Sequence, residues 1–319
     1  MRPVRVGVVG VGAMGYHHAR IYYELSRQGL VELVGVADVD PARARRAAED
    51  FHTKAYTDPR ELLRAGVEAV SIAVPTSLHR DVSLLFLENG VHVLVEKPIA
   101  DTVEKAKEII EAAKKNNVVL LVGHVERFNP AVHVLRDVIA EGIIGQPITM
   151  SAKRVGPFVK RVTDTGVIVD LAVHDIDVMS FLLNDVPVEV YARARNILHP
   201  SGMEDYALII LTFSSSVDGV IETNRLTPYK ARNLTVVGTK GIAQLDYIEQ
   251  DLVIYDERFV KKARIQREEP LRRELLHFIH CVQGLEKPLV SGEDGLKALR
   301  VAQAAVESYK KEEIVRVQW

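Results

Sequence analysis

The sequence predicts an α/β protein in two parts. Residues 1–123 read as a doubly wound parallel sheet. Residues 124–319 read as an α+β region with a mixed, mostly antiparallel sheet and helices on one face. Three observations predict this. Short, nearly uninterrupted runs of Val, Leu and Ile alternate with helical patterns through the first third of the chain, as strands covered on both faces do. The first run ends in a glycine turn, Gly10-Val11-Gly12-Ala13-Met14-Gly15. Beyond Gly123 strands dominate, and Val188, Val190, Ala192 and Ala194 alternate with Glu189, Tyr191, Arg193 and Arg195. That period of two belongs to a sheet buried on one face.

Taken in order, Val4–Val9 is the first strand, a helix follows the glycine turn to about Gln28, and Val31–Ala37 is the second strand. Asp40 caps the next helix, with Pro41 at its first position, and Asp58 caps a short helix near 59–65. A strand at Ala69–Val74 leads to a helix capped by Thr76 or Ser77 and closed by Asn89-Gly90. Strands at Val91–Val95 and Val118–Val122 flank a helix over Thr102–Lys115. The second part opens on a helix, Pro130–Glu141, and a strand, Ile148–Val155. A helix over Gly166–Leu183 precedes strands at 188–195, Ala207–Phe213, Val217–Leu226, Ala231–Val237 and Ala243–Tyr247, with Gly238 and Gly241 marking a hairpin. Two helices, Leu271–Gln283 and Glu293–Lys310, follow.

A chain of 319 residues with 47% hydrophobic and 26% charged residues has the length for two domains and the composition for a large core. A net charge of −2 gives no electrostatic case for nucleic acid or an anionic membrane. No apolar run reaches the roughly 18 residues of a membrane helix. The apolar stretch after Arg5 is the first strand and its turn rather than a signal peptide. The single cysteine, Cys281, allows no intramolecular disulfide and fits a reducing cytoplasm.

The glycine turn carries the first chemistry. Gly10 permits a tight turn, Gly12 lets a pyrophosphate approach the backbone, and Gly15 lets the helix pack on the strand. The first N–H groups of the helix, around Ala13 and Met14, then face the phosphates. Asp38 stands 23 residues after Gly15, close to the ~20 at which an acid meets a ribose 2′-hydroxyl. This is the dinucleotide-binding pattern of a Rossmann domain. Asp38 would repel a 2′-phosphate, so NAD is favoured; Arg43 keeps NADP open. Ligands of such a sheet bind outside the carboxyl ends of its strands. Val74, Pro75, Thr76 and His79 lie there, as do Glu96, Lys97 and Pro98. Lys97 is either a surface lysine or a cofactor-side cation. Arg127 is either a fork for a carboxamide or phosphate or a salt bridge at a helix start.

Helical spacing puts Asp170, His174 and Asp177 on one face. Their neighbours Ile168, Val169, Leu171, Val173, Ile176 and Val178 are apolar, so the helix is buried, and ionisable groups on a buried helix mark a site. An Asp beside a His fixes its tautomer and supports its charged form, which suits removal of a hydroxyl proton. His17-His18 and the group His277, His280 and Cys281 read as packing rather than metal ligands, and no metal is predicted.

Together GVGAMG, VPTSLH, EKP, DxxxHDID and the terminal GEDGLKALRVAQAAVES resemble the Gfo/Idh/MocA oxidoreductases over nearly the whole chain. The resemblance implies a Rossmann domain followed by a larger domain with an open sheet, which commonly joins subunits into dimers or tetramers. It implies that Lys97, Asp170 and His174 match the family's catalytic lysine, aspartate and histidine. It implies that Thr76, His79, Glu96, Lys97 and Pro98 border the nicotinamide, with the Lys97–Pro98 bond often cis. Only one glycine, Gly166, precedes Asp170 where many relatives carry several. The VGHVERFNPAV and GVIVDLAVHDIDV segments look most like the nucleotide-sugar branch, the UDP-N-acetylglucosamine 3-dehydrogenases, which oxidise the C3 hydroxyl. In that branch Arg127, Asn129, Lys153, Arg154 and Arg161 would contact diphosphate and uridine, with Asp170 and His174 at the sugar. The alternatives are an inositol or free-sugar dehydrogenase of the same family and a non-catalytic NAD-binding regulator. The intact Lys97, Asp170 and His174 argue against the regulator.

Overall fold

The computed structural model describes residues 2–158, 165–198 and 202–319. The chain forms two compact units. The first comprises residues up to His124 together with Leu271–Leu296, and the second Val125–Pro270 together with Lys297–Trp319.

In the first unit β1 (Val4–Val9), α1 (Ala13–Ser26), β2 (Val31–Ala37), α2 (Pro41–Asp50), β3 (Lys54–Tyr56), α3 (Arg60–Arg64), β4 (Ala69–Ile72), α4 (His79–Leu87), β5 (His92–Glu96), α5 (Val103–Lys115) and β6 (Leu120–Gly123) alternate. The described strands form a parallel sheet in the order β3-β2-β1-β4-β5-β6, the doubly wound arrangement whose strand order reverses between β1 and β4. Consecutive residues Val93, Leu94 and Val95 are all fully buried, so helices cover both faces. Asp40 accepts the Ala42 amide at 2.9 Å and Thr102 accepts the Lys105 amide at 3.2 Å, so the local capping rules hold. They fail at α4. A 3₁₀ turn over Thr76–Leu78 comes first, and neither Thr76 nor Ser77 caps the helix.

The second unit contains α6 (Pro130–Ala140), β7 (Pro147–Val155), α7 (Val173–Leu183), β8 (Pro187–Arg195), β9 (Tyr206–Phe213), β10 (Asp218–Asn224), β11 (Ala231–Gly238), β12 (Gly241–Asp246), β13 (Asp251–Tyr255) and β14 (Val260–Lys262). Two helices, α8 (Pro270–Val282) and α9 (Gly292–Lys311), and a short strand β15 (Val315–Arg316) follow. The described sheet runs β14-β13-β12-β11-β7-β10-β9-β8-β15. Only β7 and β10 pair in parallel; the other neighbours are antiparallel. Met150, Ala152, Ile209, Leu211 and Leu234 form a core with Leu135 of α6, Ile176 of α7 and Val301 of α9. The other face of the sheet is open, with Ile210 and Tyr255 exposed.

Two features depart from the expected elements. A π-helical turn, Ile168–Ala172, precedes α7, so the segment is not α-helical from Gly166. The C-terminal segment does not stay with the second unit. Residues 271–296 return to the first, where the Val122 amide bonds the Val290 carbonyl at 3.2 Å. Gly292 and Gly295 fit closely over Ile110, Leu120 and Val122. The amphipathic pattern of α8 and α9 requires an apolar surface but does not name which.

Candidate active site

The glycine turn is built as a phosphate cradle. Gly10 has φ +81°, and a Cβ there would stand 2.7 Å from the Ala73 carbonyl at the end of β4, so only glycine fits. At Gly15 a Cβ would overlap the Gly10 carbonyl. Gly12 differs, because its Cβ direction is open with only Arg43 Nη1 at 3.8 Å. No side chain caps α1, and its first turn holds no acid, which leaves its leading N–H groups for an anion. Ala13 and Met14 form that turn. The buried Asp38 carboxylate accepts the Val11 and Asp40 amides at 2.9 Å each. Arg43 Nε lies 3.9 Å from Asp38 and 3.0 Å from Asp40. The open direction at Gly12 and the fixed carboxylate fit a bound NAD, whose pyrophosphate the turn would hold and whose ribose Asp38 would receive.

At the other strand ends, His79 is buried. Its Nδ1 lies 2.8 Å from the Pro98 carbonyl and its Nε2 2.9 Å from the Val74 carbonyl. It therefore ties the exit of β4 to the exit of β5. Burial lowers its pKa, against the pull of the two carbonyls. Val74 and Thr76 are half-buried and Pro75 is exposed. The Lys97–Pro98 bond is cis. Glu96 points inward. Its Oε1 lies 3.0 Å from His18 Nε2 and its Oε2 accepts the Lys97 amide at 3.2 Å. Burial pushes the Glu96 carboxyl up, but the His18 hydrogen bond and the charges of His18 and Lys97 outweigh it and hold it below the usual range. Half-buried Lys97 thus leaves a backbone fixed on two sides.

In the second unit, half-buried His174 lies in the first turn of α7. Asp175 is gripped by Arg154 through Nε at 2.7 Å and Nη2 at 3.1 Å. Asp177 is gripped by Arg127 through Nε at 2.8 Å and Nη2 at 2.6 Å. At roughly 100° per residue, these acids flank His174 on either side. Two forked ion pairs therefore fix the rotation of α7, and with it the direction of His174. Arg154 also donates to Glu126 at 2.9 Å and sits over the Tyr247 ring. Burial disfavours its charge, but Asp175 and Glu126 more than compensate and raise its pKa. Asp170 lies in the π turn and bonds Arg225. Such turns occur often at functional sites, and this one carries Asp170 at its centre, directly ahead of α7 and His174.

These contacts revise the expected substrate and cofactor groups. The Arg127 guanidinium forks onto Asp177, the salt-bridge alternative. Asn129 caps α6 through the Ala131 amide at 3.1 Å and donates to the Tyr247 carbonyl at 3.0 Å. Arg154 is 2% exposed and committed to two acids. Lys153, on the opposite sheet face by strand alternation, pairs with Glu222 at 3.2 Å. Arg161 lies outside the described residues. Sequence reasoning passed over four groups the structure brings forward: His18, Glu126, Glu204 and Arg225. His18 carried a signal, being three residues after Gly15 on the helix face that packs on the sheet. Arg225 and Glu204 carried none, since an isolated charge at a strand end looks the same exposed or buried.

Comparison with known proteins gives the same picture. Residues 4–124 match the family model described as the oxidoreductase family with an NAD-binding Rossmann fold, and residues 132–244 match the Gfo/Idh/MocA C-terminal domain. A UDP-N-acetylglucosamine 3-dehydrogenase of Acidithiobacillus ferrooxidans is 33% identical over 252 residues, covering 79% of this chain and 77% of that protein. A scyllo-inositol 2-dehydrogenase (NAD(+)) of Bacillus subtilis is 31% identical over 326 aligned positions, covering 96% of this chain and 94% of that protein. A solved structure of the Acidithiobacillus ferrooxidans enzyme superposes with a TM-score of 0.89 at 29% identity, over 98% of this chain and 99% of that one. With its NAD-binding Rossmann unit, its mixed second sheet and relatives that are dehydrogenases, the chain belongs to the Gfo/Idh/MocA oxidoreductases and is an NAD-dependent dehydrogenase of the sugar type.

Proposed function

We propose that this dehydrogenase oxidises the C3 hydroxyl of UDP-N-acetylglucosamine or a related UDP-N-acetylhexosamine. The observation that carries the reading is the likeness to the UDP-N-acetylglucosamine 3-dehydrogenase in sequence and in fold. It is supported by Lys97, Asp170 and His174, which by resemblance match the family's catalytic lysine, aspartate and histidine. Bound NAD supplies the hydride acceptor. His174 takes the hydroxyl proton as general base. The Lys97 cation stabilises the alkoxide as its charge develops. Asp170 positions His174 or the sugar. Asn129 and Arg154 are buried and engaged within the protein, so the diphosphate draws its contacts from other groups.

The inositol dehydrogenases favour a second reading, since one of them matches almost the full length of this chain. Purified protein with NAD, titrated with UDP-N-acetylglucosamine and with scyllo-inositol while NADH absorbance is followed, separates the two. The expected result is a higher kcat/KM for the nucleotide sugar. The reverse order would replace the reading with polyol oxidation.

The open sheet face supports assembly of a homodimer or homotetramer. Tyr191, Ile210 and Val220 form an apolar row across β8, β9 and β10 on that face, and Ile210 is 42% exposed. Light scattering in solution should give a multiple of 35.5 kDa; a monomer's mass would overturn the assembly.

A further inference from the structure

Arg225 follows β10, and its side chain is 4% exposed. Its Nη2 bonds Asp170, and its Nη1 donates to the Thr165 carbonyl at 3.3 Å. One guanidinium therefore joins the Asp170 carboxylate to the backbone five residues before it. Glu204 holds the start of the same segment. Its carbonyl accepts the Val167 amide at 3.0 Å, and its Oε1 accepts the Ile168 amide at 3.2 Å. The segment has no side-chain cap of its own. A Cβ at Gly166 would overlap the Glu204 carboxyl, so a side chain there would displace that carboxylate from the Ile168 amide. The Asp170 amide then bonds the Gly166 carbonyl at 3.0 Å. The π turn that carries Asp170 is thus fixed by two groups from outside it.

We propose that Arg225 is a positioning residue for the dehydrogenase reaction. It fixes the Asp170 carboxylate in place and in its charged form, and so sets the group beside His174. This rests on the reading that Asp170 and His174 serve the oxidation. The charged groups around Asp170 are Arg225 in contact, Arg232 of β11, whose own ionisation Asp170 influences, and the buried Glu204. Lys310 of α9 and Arg225 both act on Glu204, whose pKa burial raises. Arg225 is bonded to Asp170 directly. Removing it takes away a contact that favours the carboxylate and breaks the link from that carboxylate to the Thr165 carbonyl. A lysine would restore the charge but not the paired donors.

The test compares wild type, Arg225→Met and Arg225→Lys in the full chain. For Arg225→Met, kcat should fall on the order of 10²-fold, the scale of a misplaced reacting group, with NAD affinity unchanged. The acidic limb of the kcat/KM profile, which His174 and Asp170 set together, should move to higher pH, because loss of the Arg225 cation raises the pKa of both groups. Arg225→Lys should bring the limb back toward wild type and leave kcat low. A folded Arg225→Met enzyme whose limb does not move and whose kcat stays near wild type would overturn the proposal. So would a lower Tm with an unmoved limb, which is what a purely structural role gives. Carboxyl carbon NMR of aspartate-labelled protein, with Asp170 assigned through Asp170→Asn, reads the same coupling without a sugar. Its midpoint should rise in Arg225→Met. If wild type oxidises no sugar, the substrate reading fails, while an unmoved midpoint overturns the hold of Arg225 on Asp170.

Discussion

Replacing His174 with alanine should lower kcat on the order of 10²–10⁴-fold, the usual contribution of a general acid or base. NAD should bind the variant as before, because Gly10, Gly12, Gly15 and Asp38 belong to the other unit. Steady-state rates together with NADH fluorescence check both parts. The fold of the variant should also survive, because Asp175 and Asp177, not His174, hold α7 through Arg154 and Arg127. Near-normal turnover would remove His174 from the reaction. Loss of NAD binding would point instead to a wider disturbance.

Arg154→Ala should produce the largest loss of stability. The substitution strips the nearly fully buried Asp175 of its bonded cation and leaves the equally buried Glu126 only the longer contact to Arg232 at 3.8 Å. Breaking a buried pair from one side costs about 3–5 kcal/mol. For a unit of this size that lowers Tm by roughly 6–20 °C, read by thermal unfolding. The charge left behind, rather than the lost bond, should dominate. The double variant Arg154→Met with Asp175→Asn should therefore recover part of the stability. If the double variant were less stable than Arg154→Ala, hydrogen bonding rather than uncompensated charge would be the main term. Turnover should fall in both variants, since α7 loses one of its two anchors beside His174.

The fold was legible where its causes are local or periodic. Val93, Leu94 and Val95 announce a strand covered on both faces, Asp40-Pro41 announces a helix start, and Gly10 to Gly15 with Asp38 announces the dinucleotide turn. The parts that were not legible depend on which distant segments meet. Arg154 finds Asp175 across 21 residues, Arg127 finds Asp177 across 50 and Arg225 finds Asp170 across 55. Each arginine is an ordinary charge in sequence, and only the folded chain makes it a buried anchor. Asn129 and Arg154 therefore read as ligand contacts in the sequence although they hold the framework, and Arg127 takes the salt-bridge side of its two readings. Short strands such as β3, β14 and β15 were missed for a related reason: two or three residues at a sheet edge carry no hydrophobic run.

The path of α9 has a consequence for the order in which the protein is made. This helix begins in the first unit and ends in the second, with the division between Leu296 and Lys297. The NAD-binding unit is therefore not a finished N-terminal piece when residue 124 leaves the ribosome. Its sheet edge at β6 waits for residues 271–296, which are synthesised after nearly all of the second unit. Vectorial synthesis thus completes the NAD-binding unit only when Leu296 has been made, after residues 125–270 of the second unit.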